Sequence, residues 1–194
     1  MPPAPASARR GSSGTGPPGV RSRPRGHASF APESELEIEL LRFLRRRGGR
    51  VTWEQLLSGP GIAALYDFFL ARAGLPAPEW YEVAREEGDP AAAIAQAASE
   101  ERSLEALAAL DLFVRLYGAE AGNLALRMMA TGGVFLGGGI APRLLGRLGS
   151  PTFLEAFVAR EPMRALLERI PVRVILHRGA ALLGAARWAL RAGG

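Results

Sequence analysis

One stretch restricts the fold of this 194-residue chain more than any other: Gly132-Gly133-Val134-Phe135-Leu136-Gly137-Gly138-Gly139-Ile140-Ala141-Pro142-Arg143. Three apolar residues between glycines are too short a run for a helix face and suit a brief strand. The glycines that follow allow a backbone turn that side chains would obstruct, and Pro142 fits the opening turn of a helix, predicted over 141–147. The same order recurs near the C-terminus, where the β-branched run 172–176 leads to Gly179 and a helical segment at 180–191. Strand, glycine turn, helix is the pattern of an α/β fold. Both strands are expected to be buried, because parallel strands ordinarily have both faces covered.

The preceding hundred residues are predicted to be helical. Ser34 with Glu37 forms a capping box, acids crowd the first turns and Arg45, Arg46 and Arg47 the last, and Gly48-Gly49 stops the helix. Thr52 with Gln55 is a second capping box. Ser58-Gly59-Pro60-Gly61 is expected to be a turn that no regular element traverses, with a third helix over 62–72. A weaker helix is placed at 80–87, and Asp89-Pro90 supplies an N-cap and first-turn pair for the next. The longest periodic segment, 104–129, has glycine at its middle, Gly118, and is expected to be one broken helix or two abutting ones, mostly buried.

Composition narrows the chemistry. An apolar content of 48% is sufficient for a core, and the absence of cysteine excludes disulfides, thiolate catalysis and cysteine-ligated zinc. The net charge of +5 comes from residues 1–26, which hold five arginines and no acid; the remaining 19 basic and 19 acidic residues cancel. That Pro/Gly/Arg-rich tail has too few large apolar residues to fold alone and is expected to be disordered, with the globular domain at 27–194. It also lacks the aromatic residues and helical periodicity that nucleic-acid binding uses, so no nucleic-acid partner is expected. No apolar run is long enough to span a bilayer and no secretory segment opens the chain; the expectation is a cytoplasmic protein with no membrane partner.

By spacing alone, the glycine run admits two readings. It is either a tight turn packed in the core or a place where backbone N–H groups approach an anion or a polar ring edge. It is not a P-loop, since no lysine follows. Likewise Glu54, in the first turn of a short helix, has an ordinary role as a dipole partner.

Further segments carry a resemblance. Tyr117-Gly118-Ala119-Glu120-Ala121-Gly122-Asn123-Leu124-Ala125-Leu126-Arg127, followed by the glycine strand, resembles the C-terminal core of bacterial glucokinases. Gly26-His27 through Phe30-Ala31-Pro32, Leu57-Ser58-Gly59-Pro60-Gly61, Ile170-Pro171-Val172 and Leu182-Leu183-Gly184 resemble further segments of that family, in the same order. The resemblance implies the C-terminal lobe of the ribonuclease H-like actin and hexokinase fold, helix-rich with a partial sheet. It also implies ATP-dependent phosphorylation of glucose with Mg²⁺, and a homodimer. His27 and Glu54 match the family's sugar-contacting positions, a role their chemistry suits because a carboxylate accepts from two hydroxyls and a neutral imidazole can donate one N–H. Gly137, Gly138 and Gly139 match its nucleotide-facing glycines.

The resemblance does not reach the family's two phosphate loops or its catalytic aspartate. Asp67, Asp89 and Asp111 each have a structural reading on a helix or cap, so no catalytic residue and no metal ligand is assigned. The expectation is a glucokinase-family enzyme in N-terminally truncated form, with a non-catalytic nucleotide- or sugar-binding or dimerisation module as the alternative.

Overall fold

The computed structural model describes residues 27–177 and 179–192. The 1–26 tail lies outside them. The described chain is a helical body followed by a small α/β unit. The body holds α1 (Glu35–Arg47), α2 (Trp53–Leu56), α3 (Gly59–Ala73), α4 (Glu79–Glu87), α5 (Pro90–Ser99) and α6 (Leu104–Met128). After β1 (Val134–Leu136) come α7 (Ile140–Arg143), α8 (Leu145–Leu148), α9 (Pro151–Val158) and α10 (Arg164–Leu167), then β2 (Val172–Val174) and α11 (Ala180–Ala192).

Local chemistry sets the helix starts. The Ser34 hydroxyl accepts from Glu37 N at 3.3 Å, and the Glu37 carboxylate reaches one residue further back than a capping box requires, to Glu33 N at 2.6 Å. Thr52 and Gln55 make the full reciprocal box. Asp89 accepts from Ala92 N and Ser103 from Ala106 N, starting α5 and α6.

Two expectations are corrected in the body. Ser58-Gly59-Pro60-Gly61 is not a break: Ser58 is the N-cap of α3, its hydroxyl accepting from Gly61 N at 3.1 Å, and Pro60 sits in the first turn, where its missing N–H costs nothing. Gly61 is there for space, since a Cβ would overlap the Leu56 carbonyl. Nor does Gly118 interrupt the long segment. α6 is one continuous 25-residue helix, and Gly118 and Gly122, one turn apart, face α9. A Cβ on either would overlap the backbone carbonyl of Phe153 or Phe157. The two glycines thus let the α6 and α9 backbones touch, which no larger residue permits.

α6 is the axis of the core, touching α2, α3, α5, α9 and α10. Leu110, Phe113 and Leu116 from α6, Leu65 and Tyr66 from α3, Ile94 from α5 and Phe153 and Phe157 from α9 are fully buried.

The sheet has two parallel strands, with Val134 opposite Val172, Phe135 opposite Arg173 and Leu136 opposite Val174. The expectation of buried strands fails here. Leu136 is buried, but Phe135 is 61% exposed, and Val172 and Val174 are only half covered. One face, carrying Leu136, Val172 and Val174, looks onto Leu145, Leu148 and Leu154. On the other, the Arg173 guanidinium lies 5.7 Å from the Phe135 ring centre. The predicted 141–147 helix is divided by Leu144 into α7 and α8. Every residue of α11 from 181 to 191 is exposed.

Candidate functional site

Two antiparallel threads carry His27 and Glu54. Phe30 N donates to Val51 O and Trp53 N to Ala28 O, both at 3.0 Å, so segment 28–30 runs alongside 51–53. Phe30 stands edge-on to the Trp53 ring with centroids 5.0 Å apart, sealing the underside of this pairing. Arg50 then fixes the free end: its Nη2 donates to His27 O at 3.0 Å and its Nε to Ser29 Oγ at 2.9 Å. As a result His27 Nε2 lies 3.4 Å from Glu54 Oε2, with both side chains mostly exposed to solvent. Their exposure leaves carboxylate and imidazole edges available to a polar ligand.

The pair opens onto a cleft of about 740 Å³ whose walls include Leu44, Arg47, Thr52, Ser58 and Pro60. Arg47 is held from behind: its Nη1 donates to Asp67 Oδ2 at 2.7 Å and its guanidinium lies 4.3 Å from the Phe43 ring centre. Asp67 also accepts from the Tyr81 hydroxyl at 2.8 Å, and burial, reinforced by that carboxylate, pushes the Tyr81 phenol far above its ordinary value. A cleft with a carboxylate, an imidazole and a fixed guanidinium can take a neutral polyhydroxylated molecule.

On the other side of segment 28–31 a groove of about 380 Å³ is bounded by Trp53, Asn123, Leu126 and Arg127. It lies against the last turns of α6, just before the chain passes into β1. Beneath it sits a charged cluster that the sequence reading did not single out. Glu120 is buried on α6, accepts from Arg127 Nη2 at 2.8 Å and 3.0 Å, and from Asn123 Nδ2 at 3.3 Å. Arg160 donates to Asn123 Oδ1 at 2.8 Å and to Glu33 at 3.1 Å, tying the end of α9 to the segment that leads from His27. Burial raises the Glu120 carboxyl above its ordinary value, partly offset by Asn123 and Arg127. The visible signal was an acid among small apolar residues in a helix otherwise predicted to be buried.

Gly137, Gly138 and Gly139 leave the C-terminal end of β1 and are exposed. They are not part of the wall of the His27–Glu54 cleft. Gly138 has φ +98°, a conformation that favours glycine, and a Cβ on Gly138 or Gly139 would meet nothing within 4 Å. The open space is what close approach of a ligand to the backbone requires.

The three aspartates are all engaged structurally. Asp67 is bound as above, Asp111 pairs with Arg147 at 2.7 Å, and Asp89 caps α5 and faces Arg143 at 3.7 Å. Among the described residues no group of three His, Asp or Glu side chains converges as a metal site would require, and no helix is long and apolar enough to cross a membrane.

A helical body built on one long helix, with a parallel strand pair and a glycine turn at its end, is the architecture of one lobe of an actin- and hexokinase-like fold. The structure matches a crystal structure of a glucokinase from an Antarctic psychrotroph with a TM-score of 0.74 and 36% identity, over 85% of this chain and 48% of that one. A Balamuthia mandrillaris glucokinase in complex with glucose, at 19% identity and TM-score 0.61, shares the fold over 82% of this chain. The glucokinase family model matches residues 22–192. Glucokinases of Nostoc punctiforme and Caulobacter vibrioides are 41% and 39% identical over 86% and 83% of this chain, and 52% and 46% of their own length. The chain belongs to the glucokinase family, and it spans about half the length of the curated relatives it matches.

Proposed function

We propose that this chain supplies the sugar-holding and nucleotide-facing half of an ATP-dependent glucose phosphotransferase. The observation that carries this reading is the His27–Glu54 pair at the mouth of the large cleft, held there by Arg50. Glu54 accepts from sugar hydroxyls, two at once where they are adjacent, while His27 donates from its ring nitrogen and orients the sugar. Gly137, Gly138 and Gly139 present backbone to the nucleotide without side chains in the way.

Transfer of the γ-phosphoryl group also needs a base for the attacking hydroxyl and donors around the transferring oxygens. Asp67, Asp89 and Asp111 are committed to Arg47 and Tyr81, to the α5 start and to Arg147, so no described aspartate is placed to take that proton. No residue is assigned to Mg²⁺; among the described residues no group of three metal-ligating side chains converges. A homodimer and a cytoplasmic location complete the proposal by family likeness.

A second reading has its own support. With all three aspartates engaged, the chain by itself is a binding half without chemistry. Calorimetric titration with glucose and a coupled assay with ATP separate the two. Binding that weakens about tenfold or more in Glu54→Ala, at unchanged stability, is expected on either reading. Turnover below about 1 s⁻¹ by this chain alone is expected if the base must come from elsewhere. Glucose affinity indifferent to Glu54→Ala would end the sugar-site assignment, and turnover in the ordinary enzyme range would mean that one of the three aspartates serves as base.

A further inference from the structure

One run of like charge stands beside the large cleft. Residues 40–53 hold five arginines and no acid, and Arg42, Arg45, Arg46, Arg47 and Arg50 are all exposed. Arg45 and Arg46 have an ordinary explanation, for cations in the last turn of α1 oppose the negative end of the helix dipole. Arg50 is spent on His27 O and Ser29 Oγ. Arg47 differs from its neighbours. It lies across the Phe43 ring, 4.3 Å from its centre, and its Nη1 is bound to Asp67 Oδ2 at 2.7 Å, on the wall of the cleft that His27 and Glu54 also line.

The groups behind Arg47 hold it in place. Asp67 is mostly covered and accepts from the Tyr81 hydroxyl at 2.8 Å. Tyr81 is buried, and burial next to that carboxylate keeps its phenol protonated, so it stays a donor. A guanidinium carries five N–H donors in one plane, and the bond to Asp67 uses only Nη1. Among the described residues Nε and Nη2 of Arg47 have no hydrogen-bond partner. A neutral sugar at Glu54 and His27 leaves those donors to water, whereas a planar fork matches two oxygens of a phosphate or carboxylate. Glu54 repels an anion from its own end, so the charged group of such a ligand belongs at Arg47 and its hydroxyls at Glu54. At about 740 Å³ the cleft has room for both.

We infer that Arg47 is the anion-reading end of this cleft, positioned by Asp67 and Tyr81, and that the cleft prefers a polyhydroxylated ligand carrying a phosphate or carboxylate over the neutral sugar. The inference rests on the proposed sugar site for its hydroxyl end alone; the anion end stands on the Arg47–Asp67–Tyr81 chain of bonds. An Arg47 that served only to tie α1 to α3 through Asp67 would change stability when removed and leave ligand preference as it was.

The test is calorimetric titration of the full chain with glucose, glucose 6-phosphate and inorganic phosphate, at low and at high ionic strength. Glucose 6-phosphate is expected to bind about tenfold or more tightly than glucose at low ionic strength, with the advantage shrinking as salt is added. Inorganic phosphate competes with glucose 6-phosphate and not with glucose. Arg47→Ala abolishes the advantage and leaves the affinity for glucose within about twofold. Arg47→Lys, which keeps the charge without the fork, retains only part of it. Tyr81→Phe, which removes only the hydroxyl that steadies Asp67, lowers it about threefold. Arg45→Ala/Arg46→Ala leaves it unchanged. Equal affinity for the two sugars, no binding of either phosphate compound, an advantage that survives Arg47→Ala, or one lost as fully in Arg45→Ala/Arg46→Ala overturns the inference. Where Arg47→Ala is insoluble, Arg47→Lys decides, and an undiminished advantage in that variant overturns it. Failure of the sugar site reads differently: if Glu54→Ala alters neither sugar's affinity while both phosphate compounds still depend on Arg47, the anion end stands and the sugar assignment falls.

Discussion

The helical body and the strand end of this chain follow the same sequence grammar to opposite results. In the body most apolar residues find a partner, and α6 brings thirteen of its residues out of solvent. At the strand end the stripes are equally apolar, yet Phe135, Leu176, Leu182 and Leu190 stand in water. Hydropathy tells which residues seek burial; whether burial is completed depends on what packs against them.

The largest contrast should come from truncating an aromatic. Phe113→Ala in the body, where the ring is fully buried with its centroid 6.0 Å from that of Tyr117, is expected to cost about 3 to 5 kcal/mol by urea unfolding. Leu190→Ala on α11 should stay within about 0.5 kcal/mol. Equal losses would erase the distinction between the regions.

Glycines sharpen it next. Gly122→Ala forces a methyl into the Phe157 carbonyl, and the α6–α9 crossing must open, for about 1 to 3 kcal/mol. Gly139→Ala meets open space at an ordinary φ of −78°, so its stability should be unchanged or slightly higher. Scanning calorimetry on the pair is sufficient. Ser58→Ala tests a cap within the body; loss of the bond to Gly61 N should cost about 1 kcal/mol.

The smallest effect is a slope in pH. Because burial raises the folded pKa of Glu120, its protonated form is the one the fold favours, and that contribution is present below the ordinary carboxylate range. It is lost as pH rises through the raised value. Relative to Glu120→Gln, the wild-type Tm should therefore fall between pH 4 and pH 7. A relative rise instead would show that the Arg127 pairing outweighs burial.

Much of this fold was legible in sequence because its signals are local. Thr52 with Gln55, Asp89 with Pro90 and the glycine-flanked Val134–Leu136 strand all depend on neighbours a few residues away. Misreadings arose where the same residue serves a distant partner. Gly118 looks like a helix breaker until α9 is laid across it, and Gly61 looks like a turn until the Leu56 carbonyl is seen beneath it. Burial of β1 was expected from strand-pair rules, but those rules presuppose neighbours. At the candidate site, His27 and Glu54 came from family likeness, and the structure brings them within 3.4 Å; Arg50, which fixes His27 through its backbone, has no sequence signature at all.

The crossover between β1 and β2 has a consequence in time. Its two strands meet only after residues 137–171 have been drawn together. During synthesis the body leaves the ribosome before them and can condense while β2 and α11 are still being made. The vectorial order of translation thus delivers the apolar α11 after the body, onto a scaffold already in place, which shortens the time its adhesive surface is presented without one.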